Sequence, residues 1–149
     1  MIGKQAFYAD EAPDQMALLA AGFDEVPITD SMVQCADVMR QSVRDNFTSS
    51  ATPDGASWPP RKIQGDGHPL LMDTGRLLQA ATGGGAGAIE IIQGREVAMG
   101  VDGSVVPYAA THNYGRGKIP AREYAGLKPD AEAACQEIIA DGLMAEVFG

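Results

Sequence analysis

Through "PITDSMVQCADVMRQSVRDNF", apolar side chains recur at three- and four-residue steps, with Met32, Cys35, Ala36, Met39, Val43 and Phe47 on one side. That is the 3.6-residue period of a helix lying on a core. Thr29 or Asp30 stands where an N-cap accepts bonds from first-turn amides. Arg40 and Arg44 fall on the solvated side. Upstream, "PDQMALLAAG" from Pro13 predicts a short helix with Gly22 past its end.

The period then stops. From Thr48 to Asp73, 26 residues rich in Gly, Pro, Ser and Asp predict a long loop. The only tryptophan, Trp58, lies there between an Asp54-Gly55 turn and Pro59-Pro60. Proline lacks an amide donor and fixes its own φ, so neither helix nor strand accommodates the run. "DTGRLLQAAT" predicts a short helix capped by Asp73 or Thr74, with Leu77, Leu78 and Ala81 inward. "GAIEIIQGREVAMGV" alternates with period two and predicts a hairpin turning at Gln93-Gly94. Ile89 and Ile91 share a face, as do Val97, Met99 and Val101.

After a turn at Asp102-Gly103, "PYAATHNYG" predicts a helix of one or two turns opened by Pro107 and closed by Gly115. "KIPAREYAGL" reads as an extended, proline-edged strand. "KPDAEAACQEIIADGLMAEVFG" predicts a closing helix whose core face is Ala131, Ala134, Cys135, Ile138 and Ile139. The order gives an α+β fold: a small antiparallel β-sheet packed against a long N-terminal-half helix and a C-terminal helix, with a long Pro/Gly-rich loop at 48–73. The 149 residues read as one domain, with 1–28 an N-terminal extension.

Charge narrows the partners. The net charge of −9 is uneven: 1–60 carry nine acids and three bases, 61–127 six acids and seven bases, and 128–149 five acids and one base. An acidic chain repels a phosphate backbone, so specific nucleic-acid binding is not expected, and a near-neutral middle between acidic flanks suits protein contacts. No apolar run reaches the ~20 residues of a membrane span. "MIGKQAFYADEAP" lacks the parts of a signal peptide, so the expectation is a soluble, cytoplasmic product. Cys35 and Cys135 read as buried free thiols.

Candidate chemistry is sparse. "ATGGGAGA" follows a helix, precedes a strand and has no lysine nearby, so it reads as a connector and not a phosphate loop. His68, His112, Asp66 and Asp73 could form a metal site, the basis of an alternative reading as a small metal-dependent hydrolase. No metal-ligand spacing supports it, and no cofactor or metal is expected. Nor do the serines and cysteines assemble a nucleophile with its base. A second alternative is a single-stranded nucleic-acid module stacking bases on Trp58 or Tyr114 beside Arg61, Lys62, Arg76, Arg95, Arg116, Lys118 and Arg122.

Several fragments in order resemble a known family. A helix ending in Asn46-Phe47 is followed by "PDGASWPP", "HPLLMDTGRL", a hairpin, "PYAATHNYG" and "IPAREYAGL". Over about residues 30–140 this resembles the phage virion morphogenesis family, the tail-completion proteins of Mu-like and related tailed bacteriophages. Tyr124 stands where such proteins often carry phenylalanine. The resemblance implies a non-enzymatic virion-assembly protein at the head–tail junction, present in host cytoplasm during assembly. It implies a homo-oligomeric ring, taken as a hexamer, whose partners are a head connector or stopper and a tail terminator or tail-tube protein. Trp58, Pro59, Pro60, Arg76, Tyr114, Pro120 and Arg122 are the expected assembly residues. For Trp58 two readings stand open, and both could hold: an anchor docking into a neighbour, or a ring folded back over its own sheet to seal one end of the core. Arg122 is expected to pair bidentately with an acid on its own or a neighbouring subunit.

Overall fold

The computed structural model describes residues 28–62, 70–72 and 74–148. The expected Pro13–Gly22 helix, the capping role of Asp73, and His68 and Asp66 lie outside the described residues. Among the described residues the elements are α1 (Thr29–Ser49), α2 (Arg76–Ala81), β1 (Ala88–Gln93), β2 (Glu96–Val101), α3 (Ala109–Tyr114) and α4 (Pro129–Phe148). None of the helices described is long and apolar enough to cross a membrane.

Helix α1 is the hub. All six residues of its expected stripe are buried, together with Ser31, Ser42 and Asn46. The expected cap is absent: Ile28 is the N-cap residue, no side chain caps the helix, and Thr29 and Asp30 are exposed positions already inside it. The helix ends where Ser50 turns left-handed (φ 51) and returns its amide to Phe47 O. Arg40 is not fully solvated; its guanidinium spans Asp37 (3.1 Å) and Glu90 of the hairpin (3.0 Å).

Helix α4 packs antiparallel along α1, and small side chains set the spacing. A Cβ on Gly142 would collide with Ser31 Oγ. The Cys35 and Cys135 thiols are free and buried, each against the other's backbone carbonyl at 3.6 and 3.8 Å. The adjacent Cys35 side chain and burial push the Cys135 thiol pKa up. At the far end Ser42 Oγ accepts the Lys128 amide at 2.9 Å.

The hairpin packs against α1 and α2. Its register pairs Gln93 with Glu96, so the turn is Gly94-Arg95, one residue later than the sequence suggested. Val97, Met99 and Val101 join the core opposite Ile92, Glu90 and Ala88, whereas Ile89 and Ile91 lie opposite Gly100 and Ala98 on the other face. The short helices fall close to expectation. Gly75, in the left-handed region, precedes α2, and Thr74 Oγ1 accepts the Arg76 amide at 3.3 Å.

The "KIPAREYAGL" segment is not a strand, and the sheet described has two strands only. An isolated bridge, Arg116↔Ile119, opens the segment as a tight turn. Side chains and single backbone contacts then take the place of a ladder. Asn113 Oδ1 accepts the amides of Tyr124 and Ala125, both at 3.0 Å. Asn46 Nδ2 donates to the carbonyls of Tyr124 (3.0 Å) and Gly126 (3.2 Å). The Arg122 amide bonds His112 O at 2.8 Å. A chain whose backbone groups are satisfied this way needs no neighbouring strand.

Asn46 is fully buried, so Asn46→Ala would strand two carbonyls. We expect it to lower the unfolding free energy by about 2–3 kcal/mol in urea titrations. Gln34→Ala, on the exposed side of α1, should change it by no more than about 0.5 kcal/mol. Equal effects of the two substitutions would contradict the pinning role.

Candidate assembly interface

The proline-rich loop is closed at its base. Ala51 and Ser57 form an antiparallel bridge, and the Trp58 amide donates to Ser50 O at 2.7 Å. Between them the Thr52 amide bonds Ala56 O at 2.8 Å, and Gly55 (φ 96) makes the reversal that an L side chain resists. This closure aims Trp58 back at α1. Its ring is 4% exposed, packs edge-on against Phe47 with centroids 5.7 Å apart, and donates its indole N–H to Glu123 O at 2.9 Å. Of the two readings of Trp58, the structure shows the ring within its own core. As an anchor on a neighbour the indole is therefore withdrawn, and it has no face left to stack on a base.

Phe47 also meets Tyr124, with centroids 5.2 Å apart. The Tyr124 phenol donates to Ala109 O at 3.1 Å, and burial, then the nearby Tyr114, pushes its pKa up. The trio Phe47, Trp58 and Tyr124 thus joins α1, the loop and the 119–127 segment at one point. Above it Pro59 and Pro60 stay exposed. Their carbonyls accept from Arg122, at 2.8 Å from Nε and 3.1 Å from Nη2. Within the subunit Arg122 therefore makes its two-pronged contact with two carbonyls and not with an acid.

A carbonyl holds a guanidinium without neutralising it. Burial, then the neighbouring Arg61, lowers the Arg122 pKa. Arg76 is held likewise, donating to Val105 O at 2.6 Å. Among the described residues Arg40 forms ion pairs, whereas Arg76 and Arg122 are held by carbonyls. Both line an open groove of about 860 Å³, whose walls also include Arg61, Leu77, Tyr108 and His112. An acidic protein thus carries a local cationic concavity with apolar walls.

The expected assembly residues divide accordingly. Arg76 and Arg122 share the groove, and Pro59 and Pro60 are tied to it through Arg122. Tyr114 is exposed at the end of α3 and Pro120 is half-buried in the following turn; neither is among the described groove-lining residues. Sequence reasoning missed Tyr108 and read His112 as a candidate metal ligand; in the structure the two stack edge-on at 5.7 Å. Their four-residue spacing within "YAATH" was the available signal. No three His, Cys, Asp or Glu side chains among the described residues converge as a metal site would require.

His112 Nδ1 is buried without a hydrogen-bond partner among the described residues, and burial, then the Arg122 charge, lowers its pKa below the ordinary 6.5. The unfolded chain therefore takes up a proton at higher pH than the folded one. Stability should be independent of this group above its unfolded pKa and fall as pH drops through about 6.5 toward the lowered folded value. Urea midpoints between pH 7.5 and 5.5 should show that slope in the native protein and less of it in His112→Gln.

The family model that matches is the phage virion morphogenesis family, over residues 16–144. That match starts earlier than the resemblance read from the motifs and takes in part of the expected 1–28 extension. Comparisons with curated proteins and with solved structures return no match. Spanning most of the sequence and both main helices, the match shows that the chain belongs to the phage virion morphogenesis family.

Proposed function

We propose that the protein is a non-enzymatic tail-completion or neck component acting at the head–tail junction of a tailed phage or prophage. It assembles there with itself as a ring, with six copies the expected number. Its neighbours are a head connector or stopper on one side and a tail terminator or tail-tube protein on the other. The observation that carries this reading is the family match over residues 16–144, which implies a part in building the phage particle.

The geometry supports a surface used for assembly. Ring subunits need two different surfaces that meet head to tail and close. Pro59, Pro60 and Tyr114 are exposed on or near loops tied down from within, and Arg76 and Arg122 present charges that carbonyls leave uncompensated. Pre-set loops of this kind lose little entropy on docking. With Pro120 in the adjoining turn, these residues make the proposed contact region.

A phage carrying a stop codon early in this gene should accumulate filled heads and separate tails by electron microscopy. Adding the purified protein to the lysate should restore joined, infectious particles. Normal yields of joined particles from the mutant phage would overturn the head–tail assignment.

A further inference from the structure

Helix α4 turns one complete stripe to solvent. Asp130, Ala133, Glu137, Asp141, Met144 and Phe148 are all exposed and recur at three- and four-residue steps. The stripe carries three carboxylates and no cation. It ends in two apolar side chains one turn apart, Met144 at 53% and Phe148 at 73% exposure. Over its length of about 27 Å it is a narrow acidic band with an apolar tip. Along α4 the buried positions face α1.

The groove around Arg76 has the opposite character. Arg61, Arg76 and Arg122 give it positive charge, and the half-buried Leu70 and Leu71 with the exposed Tyr108 give it apolar wall. Its volume of about 860 Å³ lies in the range of pockets that accept bulky groups, ~300–1,000 Å³. It is built from α2, α3 and their flanking loops, whereas α4 packs mainly on α1. The acidic stripe and the cationic groove therefore belong to different parts of the subunit.

We propose that the stripe of one copy docks into the groove of the next: Met144 and Phe148 enter against Leu70, Leu71 and Tyr108, while Asp141 and Glu137 approach Arg76 and Arg122. The occupant is a second copy of this chain. Charge complementarity selects it, since the stripe supplies carboxylates to Arg76 and Arg122, which carbonyls of their own subunit hold. Laying an amphipathic helix face into a groove is an established recognition mode. The contact is heterologous, so each subunit gives a stripe to one neighbour and a groove to the other, as a closed ring requires. This inference rests on the ring reading above and names its surfaces.

Two exposed-surface variants test it, each disabling one half of the contact. Asp141→Arg with Met144→Ser removes the stripe, and Arg76→Glu with Tyr108→Ser removes the groove. Circular dichroism and melting should show both folded. By light scattering the native protein should give a ring-sized mass, each variant alone a monomer, and an equimolar mixture a dimer. The mixture stops at two because each variant keeps one competent half. Rings of native mass from the stripe variant would overturn this interface and leave the ring reading standing. A native protein that stays monomeric at every concentration and after addition of head and tail extracts would overturn the ring reading, and this interface with it.

Discussion

Much of the architecture depends on one buried amide. Asn46 sits fully inside α1, one residue before Phe47, and gives both its N–H groups to carbonyls of the 119–127 segment. With two carbonyls as partners, only one orientation of the amide works. Asn113 completes the arrangement from the other side by accepting two amides of the same segment. A stretch with no strand neighbour is thus fixed by two asparagines where a ladder would otherwise be needed. Tyr124 is set against Phe47 as a result, and Glu123 is placed to receive the Trp58 indole. Arg122, next along, then reaches the Pro59 and Pro60 carbonyls. The outer loop owes its position to polar groups buried well below it.

The periodic parts of the fold were legible in the sequence. The stripe of α1 follows from spacing alone, because a helix on a core must repeat near 3.6 residues; on α4 Ala131, Cys135 and Ile139 are buried as expected, whereas Ala134 and Ile138 are half-buried and Leu143 completes the face. The hairpin was legible too, though its turn moved by one residue because Gln93 remains within the pairing. What spacing could not reveal is where unpaired backbone groups find partners. "KIPAREYAGL" has the look of an edge strand, yet its amides and carbonyls are satisfied from Asn46, Asn113 and His112, remote in sequence or on another element. Trp58 illustrates the same limit. Its prolines marked a rigid loop, but the inward direction is set by a bridge at the loop's base and by Glu123 O.

The candidate contact surface was half legible. Arg76 and Arg122 could be singled out as bases in a near-neutral region, and the structure brings both to one groove. Tyr108, and the pairing of His112 with it, were hidden because the short helix that Tyr108 opens has an apolar pattern too brief to assign faces. The α4 stripe was hidden for a different reason. Attention to the buried face of an amphipathic helix leaves the outer face as default solvent, and an exposed Met or Phe there is unremarked until exposure is known.

The guanidinium contacts join stability to association. An arginine paired with a carboxylate in its own subunit has little charge left to offer another chain. One held by carbonyls is fixed in place with its charge intact, so little side-chain freedom remains to be lost when a carboxylate arrives. Arg122 and Arg76 are both held in this way. A chain of net charge −9 that concentrates cations in one groove also discourages random self-association, because most approaches bring acid against acid. Only the orientation that sets an acidic surface against the groove relieves that repulsion. Orientation selectivity of this kind favours one ordered head-to-tail contact over irregular aggregates.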